Sequence, residues 1–333
     1  PNKVRAAALN FPSNDYIYSE PYGAVLIIAP WNYPFQLAIA PVISAIAAGN
    51  TVVLKPSELT PNTAKIIETI LSEVFKNEHL SVIQGGVPET TALLNERWDY
   101  IFFTGSTRIG KIIAEKAAKH LTPITLELGG KSPCIVDQGI DIDKVAKRIV
   151  SGKFVNCGQT CIAPDYIVVN NHVKDELISM LKKNIISTFG STPIKSDSYG
   201  RIINTNNLLR LKENLINQNI EFGGKIDEKN LYVEPTLVID PDVNSEIMKE
   251  EIFGPILPIL SYENENETFY MGENVFSGKN ESKGLLKVKS KTNLNERMTS
   301  ILEVNIEKQI SKIDKGFTFL ATVGSTAPFI GLF

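Results

Sequence analysis

At 333 residues, 43% of them hydrophobic and 21% charged, the chain is long enough for two average domains and is neither disordered nor fibrous in composition. A formal net charge of −3 gives no electrostatic reason for nucleic acid or an anionic membrane as partner. Three cysteines cannot all pair, and a chain this large needs no staples, so a reducing, cytoplasmic compartment is expected.

No basic-then-apolar secretory signal opens the chain. GAVLIIAP (23–30) is a continuous apolar run, as a strand buried on both faces would be. PFQLAIAPVISAIAAGN then reads as a helix ended by Gly49-Asn50. TVVLKP (51–56) is strand-like, and Thr60-Pro61 starts a helix with proline in its first turn. Ile66, Ile67, Ile70, Leu71, Val74 and Phe75 form one apolar stripe on that helix. LSVIQG, DYIFFTG and PITLELGG supply further strands, with helical segments near 88–96 and 106–120 between them. Such alternation implies a parallel sheet covered by helices, with ligands at the carboxyl ends of its strands. The pattern restarts with SPCIVD, a helix over 141–155 and the strand DYIVVN. The expected fold is therefore α/β: an open parallel-sheet domain over 1–128, a second α/β domain over 129–262, and a different segment over 263–333. The apolar tail at 317–333 is short for a span and holds Pro328 and two glycines, so no membrane anchor is expected.

GSTRIGKI (105–112) follows a predicted strand and opens a helix. It misses the phosphate loop G-x-x-x-x-G-K-[ST] because Ile112 stands where a hydroxyl should ligate magnesium. It misses G-x-G-x-x-G because Thr107 occupies the second glycine's place. What survives is a Gly-Ser turn at a helix N-terminus, which offers free N–H groups to a phosphate. A plain tight turn would look the same, and spacing alone leaves both readings open.

Six motifs stand in order: PWNYP (30–34), KPSE (55–58), FTGST (103–107), LELGGKSP (126–133), NCGQTCIAPDY (156–166) and EEIFGPILP (250–258). Together they resemble the aldehyde dehydrogenases, most closely the class 3, fatty-aldehyde branch, over roughly residues 15 to 262. The resemblance implies a dinucleotide-binding domain without the usual glycine fingerprint, then a catalytic domain with its nucleophile at the domain cleft. The family's N-terminal helical region has no counterpart. Nor does its glycine-rich closing segment, whose place after LPILSY (257–262) is taken by a run rich in Asn, Lys, Glu and Ser, with only a faint echo in NVFSGKNES. Those end regions build the family's oligomerisation arm and part of its substrate funnel.

Two thiols lie four residues apart in NCGQTCIAPDY. Zinc would want four ligands at characteristic spacing, which C-x3-C and the scattered His79, His120 and His172 do not supply. A Cys157–Cys161 disulfide would constrain little and suits a reducing compartment poorly. A Cys–His pair stays open, though no known motif of that kind is present. The fourth reading is a thiolate that adds to an aldehyde, a role the resemblance gives to Cys161. A free thiol, with a pKa near about 8.5, is only a few per cent ionised at neutral pH and needs help.

The resemblance assigns the remaining parts. Asn32 matches the side-chain amide that, with the Cys161 N–H, would hold the oxyanion; its bland reading is a loop residue bonding its own backbone. Glu127 matches the base that activates water against the thioester. Otherwise it is a strand-end carboxylate, costly within an apolar strand unless used. Lys55 and Glu58 match the positions at the adenosine ribose. A carboxylate there favours NAD by repelling a 2′-phosphate, although class 3 relatives accept NADP as well. Gly105 and Ser106 would lie near the pyrophosphate, and Glu251 and Phe253 near the nicotinamide ribose. Apart from the resemblance, Phe253 would be core packing and Lys55 a solvated surface charge. No metal is implied. A medium- or long-chain or aromatic aldehyde, a nicotinamide dinucleotide and a homodimer partner are. Two other functions stay open: an acyl-phosphate reductase of the same superfamily, and a degenerate nucleotide-binding homologue without turnover.

Overall fold

The computed structural model describes residues 2–4 and 12–263. The chain divides into two units, Pro1–Asn264 and Glu265–Phe333, and every described helix and strand belongs to the first. The echo NVFSGKNES, the apolar tail and all but the first residue of segment 263–333 lie outside the described residues.

Strands β1 (Asn2–Val4) and β2 (Asp15–Ile17) pair antiparallel. Strand β3 (Ala24–Ile28), helix α1 (Gln36–Ala47), β4 (Thr51–Lys55), α2 (Pro61–Val74) and β5 (Leu80–Val82) follow in alternation. The alternation continues through α3 (Val87–Leu93), β6 (Tyr100–Gly105), α4 (Thr107–Ala118) and β7 (Ile124–Leu128). These strands form one all-parallel sheet in the order β5-β4-β3-β6-β7. Central β3 is buried along nearly its whole length, as its unbroken apolar run requires. The chain runs outward from β3 to β5, then returns to the other side of β3 with β6. Strand order therefore reverses between β3 and β6, which is where an open α/β sheet opens a ligand crevice at its carboxyl ends.

The stripe on α2 is narrower than the sequence suggests. Ala64, Ile67 and Leu71 are buried, whereas Ile66, Ile70 and Val74 are exposed. Residues i and i+4 share a helical face, so six apolar side chains over ten positions span two adjoining faces, and only one of them meets the sheet.

The second half builds a sheet of its own. Strand β8 (Pro133–Val136), α5 (Ile142–Phe154), β9 (Tyr166–Asn170), α6 (Lys174–Phe189) and α7 (Thr205–Glu213) come first. Then come β10 (Ile220–Phe222), β11 (Ile226–Asp227), β12 (Tyr232–Val233), β13 (Thr236–Ile239), α8 (Glu246–Lys249) and β14 (Ile256–Tyr262). The order is β10-β13-β14-β9-β8, parallel except for the antiparallel edge strand β10. The fold is thus α/β in both halves. Helix α5 begins at Asp141, whose side chain accepts from Lys144 N at 3.1 Å. Its buried face runs Ile142, Ala146, Ile149, Val150, Lys153 and Phe154, so a lysine occupies a core position at helical spacing.

Candidate active site

Helix α5 runs into a short 3-10 turn, Val155–Gly158, and from there the chain leads to Cys161. Asn156, Cys157 and Gly158 take positive φ in succession, 51°, 54° and 71°. Left-handed backbone costs a non-glycine residue roughly 1–2 kcal/mol, so neighbours must hold this turn. Gln159, which is buried, does so with its whole amide. Its Nε2 donates to the Asn156 and Arg201 carbonyls, both at 3.0 Å, and its Oε1 accepts from Ile203 N at 3.0 Å. Gly158 needs its missing side chain for two reasons. Its φ is left-handed, and a Cβ would collide with the Gly254 carbonyl.

Asn32 follows β3 and joins this turn. Its Nδ2 donates to the Gln159 carbonyl at 3.0 Å, while Asn156 Nδ2 donates to the Asn32 carbonyl at 2.8 Å. Tyr33 OH and Thr160 Oγ1 lie 2.7 Å apart. Phe253 packs edge-on against Trp31, with ring centroids 5.4 Å apart, and holds a positive φ of 45° itself. Phe253 is therefore half of an inter-sheet contact in a strained backbone, rather than simple core packing. The loops leaving the carboxyl end of the first sheet thus meet the loops entering β9 and β14 of the second.

The three cysteines are free and differ sharply. Cys157 is buried, and burial pushes its thiol up to about 12. Burial also raises Cys134. Cys161 is half-buried; burial raises it first, then the charges of Glu251 and Glu127. The N–H groups of Cys161 and Ile162 draw it back down. Both glutamates therefore bear on this thiol. Glu251 is pushed up to about 7, by burial and by Asp165, against a hydrogen bond from the Gly130 N–H and the nearby Lys153 and Arg210. Its carboxylate lies so close that a Cβ on Gly129 would collide with it.

Glu127 is exposed. Burial cost is therefore no reason to expect it to be used, contrary to its sequence context: on edge strand β7 its side chain points away from the apolar neighbours. Lys55 departs in the opposite sense. It is only 2% exposed, donating to the Pro56 carbonyl at 2.7 Å and facing Glu58 at 3.4 Å, so it is no solvated surface charge. The pair ends β4, whose Lys55 is in register with Ile28 of β3. Gly105 closes β6, and Ser106 caps α4 by accepting from Ile109 N at 3.4 Å. Lys55, Glu58, Gly105 and Ser106 thus flank the crevice at the carboxyl ends of β4, β3 and β6.

Residues 4–280 match the aldehyde dehydrogenase family. The chain belongs to the aldehyde dehydrogenase family. It is 52% identical over 259 residues to the 4,4'-diaponeurosporen-aldehyde dehydrogenase of Staphylococcus aureus (strain NCTC 8325 / PS 47), covering 77% of this chain and 56% of that one. It is 50% identical over 252 residues to aldehyde dehydrogenase family 3 member A2 of Mus musculus, covering 76% and 52%. A solved structure titled as the substrate-bound state of Staphylococcus aureus AldH superposes with a TM-score of 0.77 at 50% identity, over 81% of this chain and 59% of that one. The chain spans about half the length of the curated relatives it matches. Residues 273–333 match a different family, the MotA/TolQ/ExbB proton channels; they lie outside the described residues.

Within this aldehyde dehydrogenase fold, several supporting residues lie inside the six motifs without having been singled out from the sequence. Lys131 is ion-paired with buried Asp165 and donates to the Ile247 carbonyl at 2.7 Å, while Asp165 Oδ1 accepts from Ile252 N at 2.9 Å. This buried pair pins both ends of the segment that carries Glu251. Gln159 and Asn156 hold the turn that leads to Cys161. Lys153 had a legible signal, a lysine on the apolar face of α5; the role of Gln159 had none, because its Arg201 and Ile203 backbone partners lie far along the chain. Among the described residues no cluster of His, Cys, Asp or Glu could hold a metal ion, and no helix is long and apolar enough to cross a membrane.

Proposed function

We propose that this unit oxidises an aldehyde to the carboxylic acid with NAD or NADP, through a covalent adduct on Cys161. The observation that carries the reading is the convergence on one thiol. Asn32 is fastened at 3.0 Å to the Gln159 carbonyl two residues before Cys161, and Glu127 and Glu251 both act on the Cys161 sulfur. A side-chain amide has two hydrogens. One of Asn32's goes to Gln159, and the other, with the Cys161 N–H, serves the oxyanion that forms when the thiolate adds to the carbonyl. The nicotinamide supplies the hydride acceptor. Cys161 then carries the acyl group as a thioester, and Glu127 takes the proton from the water that cleaves it. Its exposure suits a group that must reach solvent water.

Residues 1–128 are read as the dinucleotide-binding domain and 129–262 as the catalytic domain. In this reading the dinucleotide lies at the carboxyl ends of β4, β3 and β6. Buried Lys55 and exposed Glu58 stand where the adenosine ribose would lie, Gly105 and Ser106 at the pyrophosphate, and Glu251 with Phe253 at the nicotinamide ribose. Glu58 favours NAD, since a carboxylate repels a 2′-phosphate. The substrate class is a medium- or long-chain or aromatic aldehyde, and the assembly a homodimer. Acyl-phosphate reduction, the alternative direction, consumes the thioester with hydride and has no use for Glu127. Three unpaired cysteines support a cytoplasmic location and the proton-channel match over 273–333 supports a membrane one; fractionation of the expressed chain distinguishes the two.

Reduced nucleotide formation across an aldehyde chain-length series, beside a Cys161→Ala control, tests the reading. Turnover that persists in the control, or faster reduction of acyl phosphates by the unaltered protein, contradicts it.

A further inference from the structure

The buried Gln159 amide has two hydrogens and one oxygen to satisfy, and all three are bonded. One partner, the Asn156 carbonyl, belongs to the left-handed turn itself. The other two, the Arg201 carbonyl and the Ile203 N–H, lie 42 and 44 residues farther along the chain. The Arg201 side chain holds that second anchor. Its Nη2 donates to the Ile194 carbonyl at 2.7 Å, and its Nη1 to the Tyr199 and Gly200 carbonyls at 3.0 and 2.9 Å. The same guanidinium lies over the ring of Tyr232, 5.4 Å from its centroid, and Tyr232 is a buried residue of β12. Flanking bonds run to the same place. Tyr199 OH donates to the Val233 carbonyl at 2.8 Å, and Ile202 N to the Leu231 carbonyl at 2.9 Å. The Ile202 N–H thus turns toward β12, while the groups on either side of it turn toward Gln159.

We propose that Arg201 is a positioning residue for the loop that carries Cys161, acting by fixing the carbonyl and the N–H that grip the Gln159 amide. Gln159 then fixes the turn on one side and, through its own carbonyl, Asn32 Nδ2 at 3.0 Å on the other. One amide residue is therefore shared by the loop of the thiol and the loop leaving β3, and its seat depends on a distant cation. Arginine suits that task. Its planar fork of donors serves several carbonyls while its face stacks on a ring, which the point charge of a lysine does not do at once. The bearing on catalysis rests on the nucleophile role proposed above for Cys161.

Side-chain amide exchange, followed by nitrogen-15 NMR on the full chain, reads the first link without any activity, and Gln159→Glu assigns the signal. In Arg201→Ala the Gln159 Nε2 hydrogens should exchange with water about ten-fold faster, the scale of one lost hydrogen bond. Asn184 is the control: it is buried on α6, donates to the Met180 carbonyl at 2.8 Å and should keep its rate. Unchanged exchange at Gln159, or equal acceleration at Asn184, overturns the proposal. If Arg201→Ala does not fold, Arg201→Lys decides on the same two signals, with faster exchange expected at Gln159 alone. The second link is read in turnover. Arg201→Ala should lower kcat by about ten- to a hundred-fold, as a displaced reacting group does, with the KM for nucleotide near its unaltered value. Undiminished kcat beside faster Gln159 exchange overturns the link to Cys161. Turnover that survives Cys161→Ala removes the nucleophile role instead, and the exchange rates still decide whether Arg201 seats Gln159.

Discussion

At Cys161 the local forces oppose one another. Burial and two carboxylates disfavour the thiolate, and two backbone N–H groups favour it. Removing the stronger carboxylate should tip that balance. Glu251→Gln should speed alkylation of Cys161 at pH 8 by about ten-fold, one pKa unit being a factor of ten. Glu251 titrates at about 7, so below that pH the unaltered side chain is already neutral and the difference should fade. Iodoacetamide rates with peptide mapping check this; equal rates at pH 8, or labelling of Cys157 in place of Cys161, would contradict the assignment. Asn32 is the partner of the Gln159 carbonyl and, in the proposed reaction, the oxyanion donor. Asn32→Ala should lower kcat by about 10²–10³, the usual loss for one preorganised donor, with nucleotide affinity little changed. Near-normal turnover would make Asn32 purely structural.

At the scale of elements, helix α2 separates burial from mere apolarity. Ile67 is buried against β3 and β4, whereas Ile70 on the same helix is exposed. Ile67→Ala should destabilise by about 2–5 kcal/mol, as large-to-small core changes do, and Ile70→Ala by no more than about 0.5 kcal/mol. Denaturant unfolding of both variants measures the contrast; equal losses would mean the helix face is wrongly placed. Strand–helix alternation was legible because each element carries its own period, and β3 and α4 begin within a residue or two of their sequence signals. Which isoleucines of α2 face the sheet was not legible, since two adjoining apolar faces give one broad stripe. Lys55 and Glu127 exchanged their expected environments for a related reason. Burial depends on what packs across the strand, and the strand's own letters do not contain its neighbours.

On the scale of the whole unit, the site exists only where two sheets meet. The carboxyl ends of β3 and β7 supply Asn32 and Glu127, and the segments entering β9 and β14 supply Cys161, Glu251 and Phe253. Six short motifs carry the proposed catalytic set and also contain Gln159, Lys131 and Asp165. The part these three play in holding the loops was not legible, because the Arg201 and Ile247 carbonyls and the Ile203 and Ile252 N–H groups they bond lie far along the chain. In the proposed reaction Cys161 carries the acyl group and Glu127 activates the water that removes it. Rapid mixing of Glu127→Gln protein with aldehyde and NAD, followed by intact-mass measurement, tests it most directly. The amide keeps the shape but accepts no proton, so one reduced nucleotide per active site should form in a burst, with the acyl mass retained on Cys161. Undiminished steady turnover with no adduct would contradict the claim.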